Sequence, residues 1–165
     1  MEKVLLDYEI NQSTMVLLPA THCDYDTIVY EQQRQIVIAK TPLQLVKAAC
    51  LDGGATYEGR RAAVTHLTGS RQKVPIPINP QQHIFAFPTQ SPQRFENSWI
   101  FHHHIKQIQP YTSSTNTDIQ SIITFTYDQQ LQMKESHYIL EKQMHRTAMC
   151  IFQFTSQQRD SMRHF

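Results

Sequence analysis

Residues 41–69 read TPLQLVKAACLDGGATYEGRRAAVTHLTG, and here the spacing of apolar residues changes from that of strands to that of helices. Thr41 and Pro42 are residue types favoured at the N-cap and first position of a helix. An apolar stripe at helical spacing follows at Leu43, Val46, Cys50 and Leu51. The glycine pair at 53–54 predicts the end of this first helix. A second short helix is predicted from about Thr56 to Gly69, with Ala63, Val64 and Leu67 facing the core.

Strand-like runs lie on both sides of these helices. They are KVLLDYEI (3–10), TMVLLPA (14–20), TIVYE (27–31) and RQIVIAK (34–40) before them, and KVPIPINP (73–80), HIFAFPT (83–89), SIITFTY (121–127) and LQMKE (131–135) after them. The last two runs flank Asp128-Gln129-Gln130, which predicts a hairpin turn. A final amphipathic helix is predicted over about 138–154, with apolar residues at Leu140, Met144, Ala148 and Ile151.

The chain has 165 residues, of which 40% are hydrophobic, and this suits one domain with a buried core. We predict a single α+β domain: a strand-rich mixed or antiparallel sheet, two central short helices and a C-terminal amphipathic helix. Its parts are a strand-rich N-terminal part (1–40), a basic segment (41–106), a hairpin with the C-terminal helix (107–155) and a frayed polar tail (156–165).

Several classes of protein are disfavoured by the sequence. The three cysteines are widely spaced without a CxxC pair, which indicates reduced thiols. No apolar run approaches the length of a membrane span, and the N-terminus does not resemble a signal peptide, so we expect a cytoplasmic protein without a membrane partner. The sequence contains no GxSxG, P-loop or GxGxxG motif. We therefore expect neither an enzyme nor a bound cofactor.

Charge is distributed unevenly along the chain. Residues 1–33 carry one lysine against six acidic residues, a net of −5, whereas residues 34–106 carry nine Lys/Arg against three acidic residues, a net of +6. Five of the nine histidines also lie in this basic middle. Such asymmetry favours an anionic partner, of which nucleic acid is the commonest, although a mixed solvated surface is the alternative.

The arginines at 60 and 61 are adjacent, so on a helix their side chains diverge by about 100° and at least one should reach solvent. Arg71 and Lys73 follow the glycine that ends this helix. Cationic groups at such a helix–loop junction can approach phosphates. The alternative is an ordinary helix surface with arginines paired to Asp52 or Glu58.

Residues 99–106 read WIFHHHIK, with three consecutive histidines in mid-chain. As a strand, the stretch would place Trp99 and Phe101 on a core face, and His102, His104 and Lys106 together on the other face. We interpret this second face as a basic surface that supports the binding of an anionic partner. One alternative is a metal site with His83 or Glu96 as third ligand, which Lys106 would disfavour. Surface histidines without a role are the other.

Several blocks of the chain resemble the ComK family of competence transcription factors from low-GC Gram-positive bacteria. The blocks are PLQLVKAAC (42–50), YEGRRAAVTHLTG (57–69), KVPIPINPQQHIFAFPTQSP (73–92) and WIFHHHI (99–105), followed more weakly by EKQMHRTA (141–148). The span from the first block to the last, residues 42–148, covers well over half the chain, and the order and spacing of the blocks make the resemblance far more specific than a single motif.

The resemblance implies a sequence-specific DNA-binding activator of the genes for DNA uptake. Members of this family recognise paired A/T-rich boxes largely through the minor groove and act as dimers that assemble on DNA. The expected partners are therefore double-stranded DNA, further copies of the chain (a dimer or a dimer of dimers) and RNA polymerase. Many members extend further at the C-terminus, where a tail helps an adaptor deliver them to a Clp-type protease. Because this chain ends at Phe165, that partnership is in doubt.

The assignment of individual DNA contacts rests on the residues of this sequence and not on the family resemblance. We predict Arg60, Arg61, Arg71 and Lys73 as the main contacts, with His102, His104 and Lys106 as a supporting face. Two other hypotheses remain: an interaction module that has lost DNA binding and inhibits a related protein, and a metal-binding protein that uses the histidines.

Overall fold

The computed structural model describes the backbone of residues 3–163 and the side chains of residues 3–156. Within this part of the chain there are three α-helices and ten strands. The strands are β1 (Val4–Leu5), β2 (Thr14–Pro19), β3 (Thr27–Glu31), β4 (Gln35–Ile38), β5 (Ile76–Asn79), β6 (Ile84–Pro88), β7 (Trp99–Phe101), β8 (Ile105–Pro110), β9 (Ser121–Phe125) and β10 (Gln130–Met133). The helices are α1 (Pro42–Asp52), α2 (Tyr57–Thr68) and α3 (His137–Arg163), and short 3₁₀ turns cover Pro80–Gln82 and His102–His104.

The strands form two sheets. Seven of them pair in the order β1-β4-β3-β2-β7-β6-β5, in which only the short β1 runs parallel to its neighbour. The other three form an antiparallel sheet in the order β10-β9-β8. The predicted α+β class is confirmed, as is the hairpin across Asp128, whose backbone takes a φ of 69° in the turn.

Both central helices begin and end where their caps predict. Thr41 accepts from the backbone N–H of Gln44, whose side chain bonds back to the Thr41 N–H, so the two satisfy donors that the first turn leaves free. Thr56 caps α2 by accepting from the backbone N–H of Gly59, and Gly69 ends this helix in the left-handed conformation with a φ of 80°.

The buried faces of the helices differ from the predicted stripes. Helix α1 buries Leu45, Val46, Ala49 and Cys50, and helix α2 buries Tyr57 and Val64. Leu51, predicted to face the core, lies at the C-terminal end of α1 and is 62% exposed. Ala63 and Leu67 are only half-buried.

Strand β7 separates two apolar clusters. Trp99 and Phe101 pack on one side with α1 and α2, and Ile100 packs on the other side with residues of the three-stranded sheet. Helix α3 reaches both clusters, through Leu140 at its start and Cys150 further along. The predicted core position of Trp99 is confirmed, and Phe85 and Phe87 are buried as well.

Helix α3 is longer than predicted. It continues to Arg163, so the expected end near residue 154 and the frayed tail are wrong; residues 164–165 lie outside the described chain. Among its residues up to 156, whose side chains the structure describes, the buried ones are Leu140, Gln143, Thr147 and Cys150, whereas Ala148 is exposed. Thus two of these four core positions are polar, so the spacing of apolar residues by itself does not predict this buried face. Neither α3 nor another described helix carries an apolar stretch long enough to cross a membrane.

Gly53 allows α1 to approach β5 closely. A methyl group at this position would lie 2.6 Å from the carbonyl oxygen of Ile78, which is backbone and cannot swing away. We expect Gly53→Ala to lower the free energy of unfolding by roughly 1–3 kcal/mol in urea denaturation. Gly59→Ala is the matched control, since its nearest neighbour is the Thr56 side-chain oxygen at 3.0 Å. Equal midpoints for the two variants would contradict this account.

Candidate nucleic-acid interface

A groove of about 840 Å³ collects positive charge from three separate segments. These are the α2–β5 loop (69–75), the β6–β7 loop (89–98) and the β10–α3 junction (134–136). The groove is lined by five cationic side chains: Arg71, Lys73, Arg94 and Lys134 on these segments, and Arg61 on helix α2. Among its lining residues Glu135 is the one carboxylate. We call this feature the basic groove.

The α2–β5 loop is held to the helix that precedes it. Arg61 extends from α2 and donates to the carbonyl oxygen of Arg71 at 3.1 Å, which ties the loop to the helix. Lys73 adopts a φ of 47°, so the chain turns sharply before it enters β5. Arg61 and Arg71 are both exposed, so their guanidinium groups remain available to a ligand.

Side chains of helix α3 hold the same loop in place through hydrogen bonds. Gln143 is only 1% exposed, and its side-chain amide donates to the carbonyl oxygens of Lys73 at 2.9 Å and Pro88 at 2.8 Å. Its own oxygen accepts from Arg146 Nη1 at 2.6 Å. Arg146 also donates to the Gln72 carbonyl oxygen at 2.7 Å. The loop is therefore positioned by side-chain hydrogen bonds to its backbone carbonyl oxygens, from Gln143 and Arg146 as well as from Arg61.

Little negative charge offsets these cations. Arg94 lies 3.8 Å from the carboxylate of Glu96, and both are exposed, so the pair is weak. Glu135 accepts from the amide of Gln90 at 3.0 Å. Among the side chains that the structure describes, the other four cations of the groove form no salt bridge. The basic groove thus presents uncompensated positive charge to solvent.

Three of the predicted contact residues, Arg61, Arg71 and Lys73, meet in the basic groove. Arg60 does not: it is half-buried and donates to the carbonyl oxygen of Gly53 at 2.8 Å, which secures the α1–α2 turn. Sequence reasoning missed Arg94 and Lys134. Arg94 lay within the basic segment and could have been considered, whereas no local signal connects Lys134 with residues more than sixty positions away.

The prediction that His102, His104 and Lys106 share an exposed strand face is wrong. The three histidines form a 3₁₀ turn because the chain leaves the seven-stranded sheet after β7 and enters the other sheet at β8. His104 is 4% exposed, with Nε2 2.7 Å from the carbonyl oxygen of Gln12. Lys106 pairs with Asp128 at 2.9 Å. None of the three lines the basic groove.

The histidines are also poor candidates for a metal site. Burial, with a smaller contribution from His103, lowers the pKa of both His102 and His104 and so favours the neutral imidazole, the form that binds metal. It is therefore the geometry that disfavours a metal site. Neither His83 nor Glu96 joins them in a ligand cluster; in the described residues such a cluster occurs only at the exposed His22, Cys23 and Asp24. The turn serves to join the two sheets.

Comparison with known proteins shows to which family the chain is related. The family model for the ComK protein matches residues 6–159. This chain belongs to the ComK family. It is 31% identical over 148 residues to a protein of Bacillus subtilis (strain 168) named competence transcription factor, an alignment that covers 87% of this chain and 73% of the relative. No solved structure matches the chain. The ComK match includes every cation of the basic groove, and the resemblance seen in the sequence is confirmed.

The Gln143 amide offers a direct test of how the loop is held. Gln143→Leu would remove the hydrogen bonds that this side chain makes to the carbonyl oxygens of Lys73 and Pro88 and to Arg146 Nη1. We expect the free energy of unfolding to fall by about 1–3 kcal/mol in urea denaturation. Gln109→Leu, at an exposed position of β8, should change it by less than about 0.5 kcal/mol. A Gln143 variant as stable as the Gln109 control would contradict the bridging role.

The buried histidines predict a pH dependence of stability. Because their pKa in the folded protein lies below the ordinary 6.5, the unfolded chain binds more protons as the pH falls through 6.5. Stability should therefore decrease with acidification from this point until the folded histidines also become protonated. The double variant His102→Gln/His104→Gln should show a flatter profile between pH 7 and 5 in thermal unfolding.

Carboxylates give an internal control for that experiment. Asp7 has its pKa lowered by Lys40, and Glu31 has its pKa lowered by Arg34 and Tyr8 against the effect of burial. Their stabilising contributions are lost only at lower pH, below the ordinary 3.8 and 4.5, and they are present in both proteins. An unchanged slope between pH 7 and 5 in the histidine variant would refute the assignment.

Proposed function

We propose that this protein is a transcription regulator of competence genes that binds double-stranded DNA through the basic groove. The observation that carries the proposal is the convergence of five cations and one carboxylate in a groove built from three distant segments. Membership of the ComK family and the name of the Bacillus subtilis relative support the same conclusion. The proposal assigns no catalytic role. Such a regulator acts where the bacterial chromosome lies, in the cytoplasm.

The chemistry of the groove suits a sugar–phosphate backbone. Lysine ammonium and arginine guanidinium groups neutralise phosphates and release condensed counterions, which supplies affinity without regard to sequence. Arg61, Arg71 and Arg94 add planar donor groups that bind phosphate oxygens in pairs. Most groove residues lie in loops and at strand ends. In the part of the chain that the structure describes, no helix therefore lies along the groove where it could insert into a major groove of DNA. This arrangement favours contact with the minor groove and its flanking phosphates.

Preference for A/T-rich boxes would follow from groove shape. A-tracts have a narrow minor groove with enhanced negative potential, and inserted arginines gain more there than on average duplex. Arg71 and Arg94 are exposed cations on opposite loops of the basic groove, so they are our candidates for such insertion. Paired boxes would be occupied by two copies of the chain, and activation would require a further contact with RNA polymerase.

Substitution in the groove tests the function. We expect Arg71→Ala and Lys134→Ala, which come from different segments, each to weaken binding to a duplex with two A/T boxes by about 1–3 kcal/mol. The measurement is fluorescence anisotropy at several salt concentrations. With five contacts, the slope of log affinity against log salt should be about −4 to −5 in the wild type and about one unit shallower in each variant.

Lys106→Ala is the matched control, because Lys106 is an exposed lysine that lies outside the groove. Its affinity should equal that of the wild type, while a G/C-substituted duplex should bind the wild type more weakly. If Lys106→Ala weakens binding as much as the groove variants, the groove assignment fails. If the wild type binds no duplex but forms a heterodimer with a related protein, the chain is an interaction module.

A further inference from the structure

Phe95 stands beside the basic groove with its ring in solvent. It is 58% exposed, and it follows Arg94, which lines the groove. Single exposed apolar residues are ordinary on protein surfaces. The setting of Phe95 is different, because the loop that carries it is tightly built and borders a surface made for an anion.

The base of the β6–β7 loop is closed by paired hydrogen bonds. Thr89 donates its N–H to the Ser98 carbonyl oxygen at 2.9 Å, and the Ser98 N–H donates to the Thr89 hydroxyl oxygen at 3.1 Å. The buried Asn97 accepts from the Gln90 N–H at 2.9 Å. These four residues hold the two ends of the loop together inside the protein.

The tip of the loop is equally constrained. Arg94 donates its N–H to the Ser91 carbonyl oxygen at 2.9 Å, and the Arg94 carbonyl oxygen accepts from the Asn97 N–H at 3.2 Å. Two consecutive turns therefore present the side chains of Arg94 and Phe95 outward from a fixed backbone. A rigid mounting lowers the entropy that a side chain loses when it inserts into a ligand.

Phe95 lines two hollows that adjoin the basic groove. One hollow, of about 280 Å³, includes Leu18 and Met133 and shares Lys134 with the groove. The other, of about 490 Å³, includes Leu43 and shares Arg94 with the groove. A duplex that extends from the groove across either neighbouring hollow would therefore meet the ring of Phe95.

We propose that Phe95 is a wedge that inserts between two stacked base pairs from the minor groove, while the cations of the basic groove hold the phosphates on either side. This proposal rests on the proposed function and adds a bent duplex to it. Minor-groove proteins commonly insert apolar side chains in this way and kink DNA by about 20–90°. The neighbouring Glu96 carboxylate lies 3.8 Å from Arg94, which limits its repulsion of phosphates.

The target of the wedge is a flexible pyrimidine–purine step. TA steps unstack more easily than other steps, and A/T-rich boxes contain them. The kink would bring flanking DNA onto more of the cationic surface. The wedge would then select boxes by deformability, at a step where Phe95 makes no hydrogen bond.

The experiment uses the full chain with duplexes that carry 2-aminopurine at the central TA step and a donor–acceptor dye pair at the two ends. Insertion should raise 2-aminopurine fluorescence, and kinking should shorten the dye separation. Phe95→Ala should abolish both signals and weaken binding roughly 5- to 100-fold. Phe95→Leu, which keeps an apolar wedge, should retain part of the bend. Tyr127→Ala is the matched control, since Tyr127 is 65% exposed on the β9–β10 turn outside the groove.

The outcomes separate the wedge from the proposed function. If the wild type binds the duplex and Phe95→Ala unstacks and bends it equally well, the wedge is refuted and the DNA-binding function stands. If the wild type binds no duplex, the proposed function fails and the wedge fails with it. Loss of both signals in Phe95→Ala, with wild-type signals in Tyr127→Ala and the same thermal midpoint, supports the wedge.

Discussion

The side-chain amide of Gln143 is the contact on which the arrangement of the basic groove depends. A buried amide must have hydrogen-bond partners, and Gln143 finds them in three places: the carbonyl oxygens of Lys73 and Pro88, and the guanidinium of Arg146. One carbonyl belongs to the α2–β5 loop and the other to the last residue of β6. Helix α3 therefore fixes the distance between the α2–β5 loop and the seven-stranded sheet, and with it the width of the basic groove.

These hydrogen bonds explain how like charges can lie close together on one surface. Five cations in one groove repel one another, and Coulomb repulsion by itself would spread the loops apart. Backbone carbonyl oxygens hold the α2–β5 loop by accepting from the Gln143 amide and from the guanidinium groups of Arg146 and Arg61, so Arg61 is the groove cation that also positions the loop. A polyanion then relieves the repulsion without reorganising the protein, which is the condition for preorganised recognition.

The histidine turn illustrates a different use of polar residues. Strand β7 is buried on both sides, and directly after it the chain must pass from one sheet to the other. The carbonyl oxygen of His104 accepts from both the N–H and the hydroxyl of Thr126, and its ring nitrogen lies against the Gln12 carbonyl oxygen. These contacts satisfy the backbone at a crossing point, so a run that suggests metal or anion binding is part of the structure.

The sequence by itself determined the elements that local rules control. Caps at Thr41 and Thr56, the glycine at 69 and the Asp128 turn each act within a few residues, and the α+β class followed from them. The resemblance to ComK identified the family, and three cations of the groove, Arg61, Arg71 and Lys73, were predicted from the basic segment. Only the tertiary structure decided which polar residues are buried. Arg60 turns to the Gly53 carbonyl oxygen, Gln143 reaches Lys73, and Lys134 joins the groove through contacts between residues far apart in the chain, which no local pattern encodes.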